Sequence, residues 1–143
     1  MRGTFLSTAF LLASAATALA QMPPEVEAEA VKVRLSGQRV LVTWRDGGTL
    51  YGTYHMIDVA FCASGAYFSQ GGTSKTTVLG NEQRSSFSDQ GKWSVATLGQ
   101  AVVLTSRSIS GQVNAFPMHV LPDGSLWAGN GVTVVSRGPA PCR

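Results

Sequence analysis

His55 and His119 are the two imidazoles of the chain, and Asp58 stands three residues beyond the first, so acid–base or metal chemistry would have to start here. Leu50 to Cys62 has the composition of one long strand, and in a strand a spacing of three puts His55 and Asp58 on opposite faces. His119 is in phase with Val113, Ala115 and Leu121, and meets His55 only if the fold carries it there. After Ala30 the carboxylates are Asp46, Asp58, Glu82, Asp89 and Asp123; Asp46 and Asp123 precede glycines in turns, which leaves no glycosidase-like pair and explains both without calcium. Neither a G-x-S-x-G elbow nor an S-x-x-K pair follows the first twenty residues. Gly71 to Thr77 ends in Lys75-Thr76 like a phosphate loop, but Lys75 lacks its preceding glycine and no helical pattern follows. The expectation is a protein that is not an enzyme, with no catalytic residues, no metal and no cofactor.

Cys62 and Cys142 are the only thiols, and the amino terminus says which compartment they meet. Arg2 precedes a largely apolar, uncharged stretch from Thr4 to Thr17, and Ala18-Leu19-Ala20 fits small-residue cleavage before Gln21. Residues 1–20 thus read as a secretory signal peptide, and the protein is expected to be secreted or periplasmic. There a Cys62–Cys142 disulfide is favoured over two free thiols, since two cysteines fall short of a zinc set and no C-x-x-C occurs. The net charge of +3 is small and scattered, which argues against nucleic acid and anionic membranes. No lipobox-like cysteine and no later apolar run of about 18 residues points to a membrane anchor. About 120 residues remain after cleavage, the size of one domain, expected to be monomeric.

The elements that must position these residues read as strands. Gln21 to Ala30 is taken as an N-terminal linker and 31–143 as a single β domain. Val31, Val33 and Leu35 alternate with Lys32 and Arg34, Ser36-Gly37-Gln38 turns, and Val40, Val42 and Trp44 share a face of the return strand. In the Leu50 to Cys62 strand the odd residues, from Tyr51 to Phe61, are the core face. Gly71 to Gly91 is polar and reads as a long, weakly structured connection. Strands follow at 92–98, 101–108, 113–121, 126–128 and 132–136, separated by Gly99-Gln100, Ser110-Gly111, Pro122-Asp123-Gly124 and Asn130-Gly131. The fold class is all-β: an antiparallel meander of about eight or nine strands, closing into a small barrel or, alternatively, folding as a two-layer β-sandwich.

Phe61-Cys62-Ala63-Ser64-Gly65-Ala66-Tyr67, Gly91-Lys92-Trp93-Ser94-Val95, Asp123-Gly124-Ser125-Leu126-Trp127, Asn130-Gly131 and Cys142 together resemble small exported bacterial lipocalin-like domains, over roughly 50–142. That resemblance implies a lipocalin-like barrel with a ligand cavity. More locally, Ala63 to Tyr67 followed by Gly71 resembles the inhibitory loop of periplasmic inhibitors of c-type lysozyme, although the basic residue between Ala and Tyr is missing. It implies a partner-binding segment at Ser64 to Gly71, including Ser64, Gly65 and Tyr67. Among the tryptophans, Trp93 shares a face with Val95 and reads as core, whereas Trp127, between two turn signals, is the candidate stacking platform.

The functional expectation is therefore an exported non-catalytic binding domain, for a small apolar ligand or an extracellular protein partner. The alternatives are an inhibitor of a cell-envelope hydrolase such as lysozyme, acting through Ser64 to Gly71, and a small enzyme with dispersed catalytic residues. A large apolar cavity, a protruding Ser64 to Gly71 loop, or a polar pocket joining a histidine to a carboxylate would separate the three.

Overall fold

The computed structural model describes residues 22–48 and 51–142, so the signal-peptide reading of 1–20 lies outside them. In chain order the elements are α1 (Pro24–Leu35), β1 (Gln38–Gly47), β2 (Gly52–Phe61), β3 (Ala66–Thr76), β4 (Glu82–Leu98), β5 (Ala101–Ser108), β6 (Val113–Pro117), β7 (His119–Val120), β8 (Leu126–Trp127) and β9 (Thr133–Pro139). Among the described residues the protein is all-β apart from α1, and every ladder is antiparallel.

The helix replaces both the expected linker at 21–30 and the expected strand at Val31 to Leu35. Proline in the first turn, Glu25 and Glu27 near the N-terminus and Lys32 and Arg34 near the C-terminus all favour a helix in this direction. Ala28, Val31 and Leu35 fall at helical spacing and are buried, while Val33, which alternation would have placed beside them, is exposed. Three apolar side chains on one stripe outweigh the β propensity of two valines, because they reach the core only as a helix.

Seven strands form one sheet in the order β6-β5-β4-β3-β2-β1-β9, and β7 and β8 form a separate two-stranded ribbon. The expected barrel closure is absent among the described residues, since β6 and β9 end the sheet without pairing with each other. Strand β4 makes this shape possible. Its first part, Glu82 to Lys92, pairs with β3, and its second, Gly91 to Leu98, pairs with β5. The chain thus passes from one half of the sheet to the other, and the arrangement is nearer to the two-layer alternative. The helix and the β7–β8 ribbon cover the interior.

The polar segment 71–91 is not a loose connection but the distal part of the β3–β4 hairpin. Serine, threonine and glutamine suit strands whose faces are both largely wet. The glycines fit because aromatics lie opposite them, Phe87 on Gly71 and Tyr67 on Gly91. At Gly91 an added Cβ would run into the Arg107 carbonyl and come within 2.9 Å of the Ser108 Cα, so the β4–β5 approach requires glycine.

Phe61, Tyr67, Trp93, Val102, Leu104 and Met118 form the core with the helix stripe and Val40. Phe61 and Trp93 meet edge-to-face with centroids 5.3 Å apart. The Trp93 indole N–H donates to the Cys62 carbonyl at 2.9 Å, satisfying a buried polar pair. Beside it Cys62 is bonded to Cys142, closing a separation of 80 residues.

Candidate functional site

Adjacent strands present same-face side chains at paired positions, so the inward residues follow from the register. Val40, Val42 and Trp44 on β1 stand with Val59, Ile57 and His55 on β2, and Val134 on β9 pairs with Val42. The other half of the sheet brings Leu104 of β5 opposite Phe116 of β6. Between the halves lies a cavity of about 350 Å³, lined by these side chains together with Leu35, Phe61, Met118, Ala128 and Val132; His55 alone stands outside it. All thirteen lining residues are apolar.

One end of the cavity is dry and the other open. Leu35, Val40, Phe61, Leu104 and Met118 are buried and form the floor where α1 enters β1. Trp44, Ile57, Val132 and Val134 are half-buried and Phe116 is 45% exposed, which makes theirs the mouth. At the mouth the Trp44 indole stacks on the His55 imidazole, with centroids 4.5 Å apart and planes within 1° of parallel. Nε2 of His55 lies 2.8 Å from Oδ2 of Asp46, yet off the line of a hydrogen bond, so this buried nitrogen has a charge neighbour and no geometric partner.

The histidines serve different ends of the molecule. His55 shares the inner face with Trp44, whereas Asp58 is held on the outer face by two 2.7 Å bonds from Arg39. The strand parity that separates them in the sequence separates them in space. Nδ1 of His119 sits 3.1 Å from Oε1 of Glu27, the same oxygen that accepts the Val120 N–H at 3.0 Å. This fixes α1 to the β7–β8 ribbon. Among the described residues no group of three or more His, Cys, Asp and Glu side chains is placed to hold a metal ion.

The other residues singled out in the sequence are spread over the molecule. Ser64 and Gly65 sit in a tight turn, closed by the Gly65 N–H donating to the Cys62 carbonyl at 3.0 Å and the Cys62 N–H donating to the Ala66 carbonyl at 2.8 Å. Ala66 to Gly71 then lies within β3, so no loop protrudes. Tyr67 is buried and its hydroxyl donates to Oδ2 of Asp89 at 2.6 Å. Burial together with that carboxylate pushes the phenol up to about 12, while the same bond holds Asp89 below the usual carboxylate range. Trp127 is half-buried in the ribbon, its ring tilted against His119 at 5.2 Å.

The cavity wall from β1 and β2 was legible as alternation. Leu35, Phe116, Met118 and Ala128 were not assigned to a site: Leu35 arrives from a helix read as a strand, Phe116 and Met118 from a segment read as one strand that the structure divides into β6 and β7, and Ala128 follows the short β8. The signal for Leu35 was the Ala28, Val31, Leu35 spacing. No protein-family model, curated protein or solved structure matches this chain.

Proposed function

We propose that this is an exported, non-catalytic binding domain whose ligand is a small apolar molecule held between the two halves of the sheet. The cavity carries the reading: about 350 Å³ bounded by thirteen apolar side chains falls within the range of small-molecule sites. With no polar side chain in its wall, it selects by shape and dryness rather than by hydrogen bonding. At about 30 Å³ per water-sized group, it accommodates roughly a dozen non-hydrogen atoms. Export is supported by the leader-like residues 1–20 and by the Cys62–Cys142 bond, which belongs to an oxidising compartment.

Titration calorimetry with n-decanol tests the reading. The wild-type protein should bind one equivalent with a negative heat-capacity change, the mark of apolar burial. Ala128→Phe, which fills the cavity from its wall, should abolish binding while leaving the β circular-dichroism spectrum in place. Absence of saturable decanol binding by the wild type, or unchanged binding by Ala128→Phe, overturns the assignment.

A further inference from the structure

The end of the molecule that carries the cavity mouth also carries Leu79, the most exposed large apolar side chain among the described residues, with Val78 beside it. Register places the end of β1 and the start of β2 beside the tip of the β3–β4 hairpin, because Gly47 pairs with Gly52, Gly52 with Thr76, and Thr76 with Glu82. Val78 and Leu79 stand at that tip 75% and 87% exposed, and Tyr51 beside it is 52% exposed. The tip is a built turn: the Gly80 N–H donates to the Thr77 carbonyl at 2.9 Å, and the Thr77 N–H donates to the Asn81 carbonyl at 2.9 Å. Two apolar residues are thus held outward at positions where turn chemistry favours polar ones. Leu98 and Ile109, also exposed, lie singly at other turns.

We propose that this end docks on the surface of a lipid bilayer, with Tyr51, Val78 and Leu79 inserted among the lipids. A bilayer fits the shape of the patch better than a protein does. A stable protein interface needs about 800 Å² of complementary surface on each partner, more than the three side chains Tyr51, Val78 and Leu79 offer. A bilayer needs no matching surface, and binding to it scales with the apolar area buried. The charges nearby are Arg45, Lys75 and Arg84 against Asp46 and Glu82, with Arg84 engaged on Glu82 at 3.0 Å and Asp46 beside His55. Long basic stems just behind the apolar tips suit the headgroup layer. With a net of one positive charge, the contact is apolar in origin and only weakly sensitive to salt.

Trp44 is three residues from Gly47, so the mouth lies roughly 10 Å behind this end of the sheet at about 3.3 Å per strand residue. Resting on the cavity reading above, the ligand is then a membrane-borne acyl chain, exchanged at the bilayer surface.

Flotation with phosphatidylcholine vesicles, with and without one-third phosphatidylglycerol, tests the docking. The wild-type protein should float with both compositions, and in 0.5 M salt. Val78→Asp with Leu79→Asp should reduce the bound fraction at least ten-fold while decanol binding is retained. Ala128→Phe should still float, which separates failure of the docking from failure of the cavity reading. A wild-type protein that stays with the soluble fraction overturns the proposal, as does a double variant that floats normally. Binding only to the anionic vesicles, lost in salt, also overturns it in favour of a purely electrostatic contact.

Discussion

Replacing the disulfide by Cys62→Ala with Cys142→Ser removes a cross-link spanning 80 residues. The chain-entropy treatment for a loop of that length gives about 4.5 kcal/mol as the most it contributes, and native disulfides typically deliver about 2–4 kcal/mol. Against a total stability of about 5–15 kcal/mol for a small domain, the loss is a large fraction. With a urea dependence of about 1–3 kcal/mol per molar, a loss of about 2–4 kcal/mol lowers the midpoint by about 0.7–4 M. The damage should also be local. Among the described residues β9 pairs only with β1, and beyond it the Ala140 N–H reaches the Gly37 carbonyl at 2.8 Å before Cys142 is tied down. Without the bond this edge frays first, so amide hydrogen exchange should speed up in β9 before the β2–β3–β4 ladders. Urea unfolding under non-reducing conditions, with exchange read by mass spectrometry, measures both. A midpoint within 0.3 M of wild type, or uniform acceleration across all strands, refutes the reasoning.

Gly91→Ala should destabilise by about 1–3 kcal/mol, since the added Cβ meets backbone that must move; a loss below 0.5 kcal/mol in urea would show that β5 yields freely. Trp93→Phe removes the donor to the Cys62 carbonyl and should cost about 1–3 kcal/mol, read by thermal unfolding; an unchanged midpoint would mean that this carbonyl finds another donor. Because the native phenol of Tyr67 lies above the ordinary tyrosine value near 10, its contribution is complete below that value and is lost as pH rises through about 12. The complementary loss from Asp89, whose native pKa is lowered, comes on the acid side as pH falls through that depressed value. Tyr67→Phe should remove a late component of the ultraviolet absorbance titration, and a component remaining near pH 12 would assign it to another tyrosine. Limited proteolysis should cut first at 77–81, the exposed hairpin tip, and a first cut in 71–76 would show that β3 does not hold its distal half.

Residues 38–61 and 92–108 were readable because alternation and turn glycines agree there: Val40, Val42 and Trp44 point inward as their spacing demands, and Ile57, Val59 and Phe61 of β2 line the interior, although Tyr51, expected on the same face, lies before β2 and is 52% exposed. The disulfide followed from the cysteine count and the reading of residues 1–20 as a leader. The helix was misread because Val31, Val33 and Leu35 satisfy period two while Ala28, Val31 and Leu35 satisfy the helical period, and only the tertiary contact of Ala28 decides between them. The distal hairpin was misread because its side chains face water on both sides, which erases alternation. Pairing with β3 is a non-local property that Ser85 to Ser88 do not advertise. The open sheet was equally hidden, since an open and a closed meander share the same hairpins and differ only in whether β6 meets β9. The cavity fell between these cases, with two walls legible and the rest supplied by packing.

Glu27, near the start of the described chain, is joined to residues 92 and 93 positions away, and Cys62 to one 80 positions away. Contacts of such separation form late, because the intervening chain must close before they contribute. A chain that emerges amino end first therefore holds an unsatisfied helix until the β7–β8 ribbon arrives, and an unpaired Cys62 until the last residues follow. Completion of the interior is thereby coupled to arrival of the whole chain, and a truncated product lacking β7 to β9 would display the dry face of β1 and β2 as a ready surface for quality-control proteases.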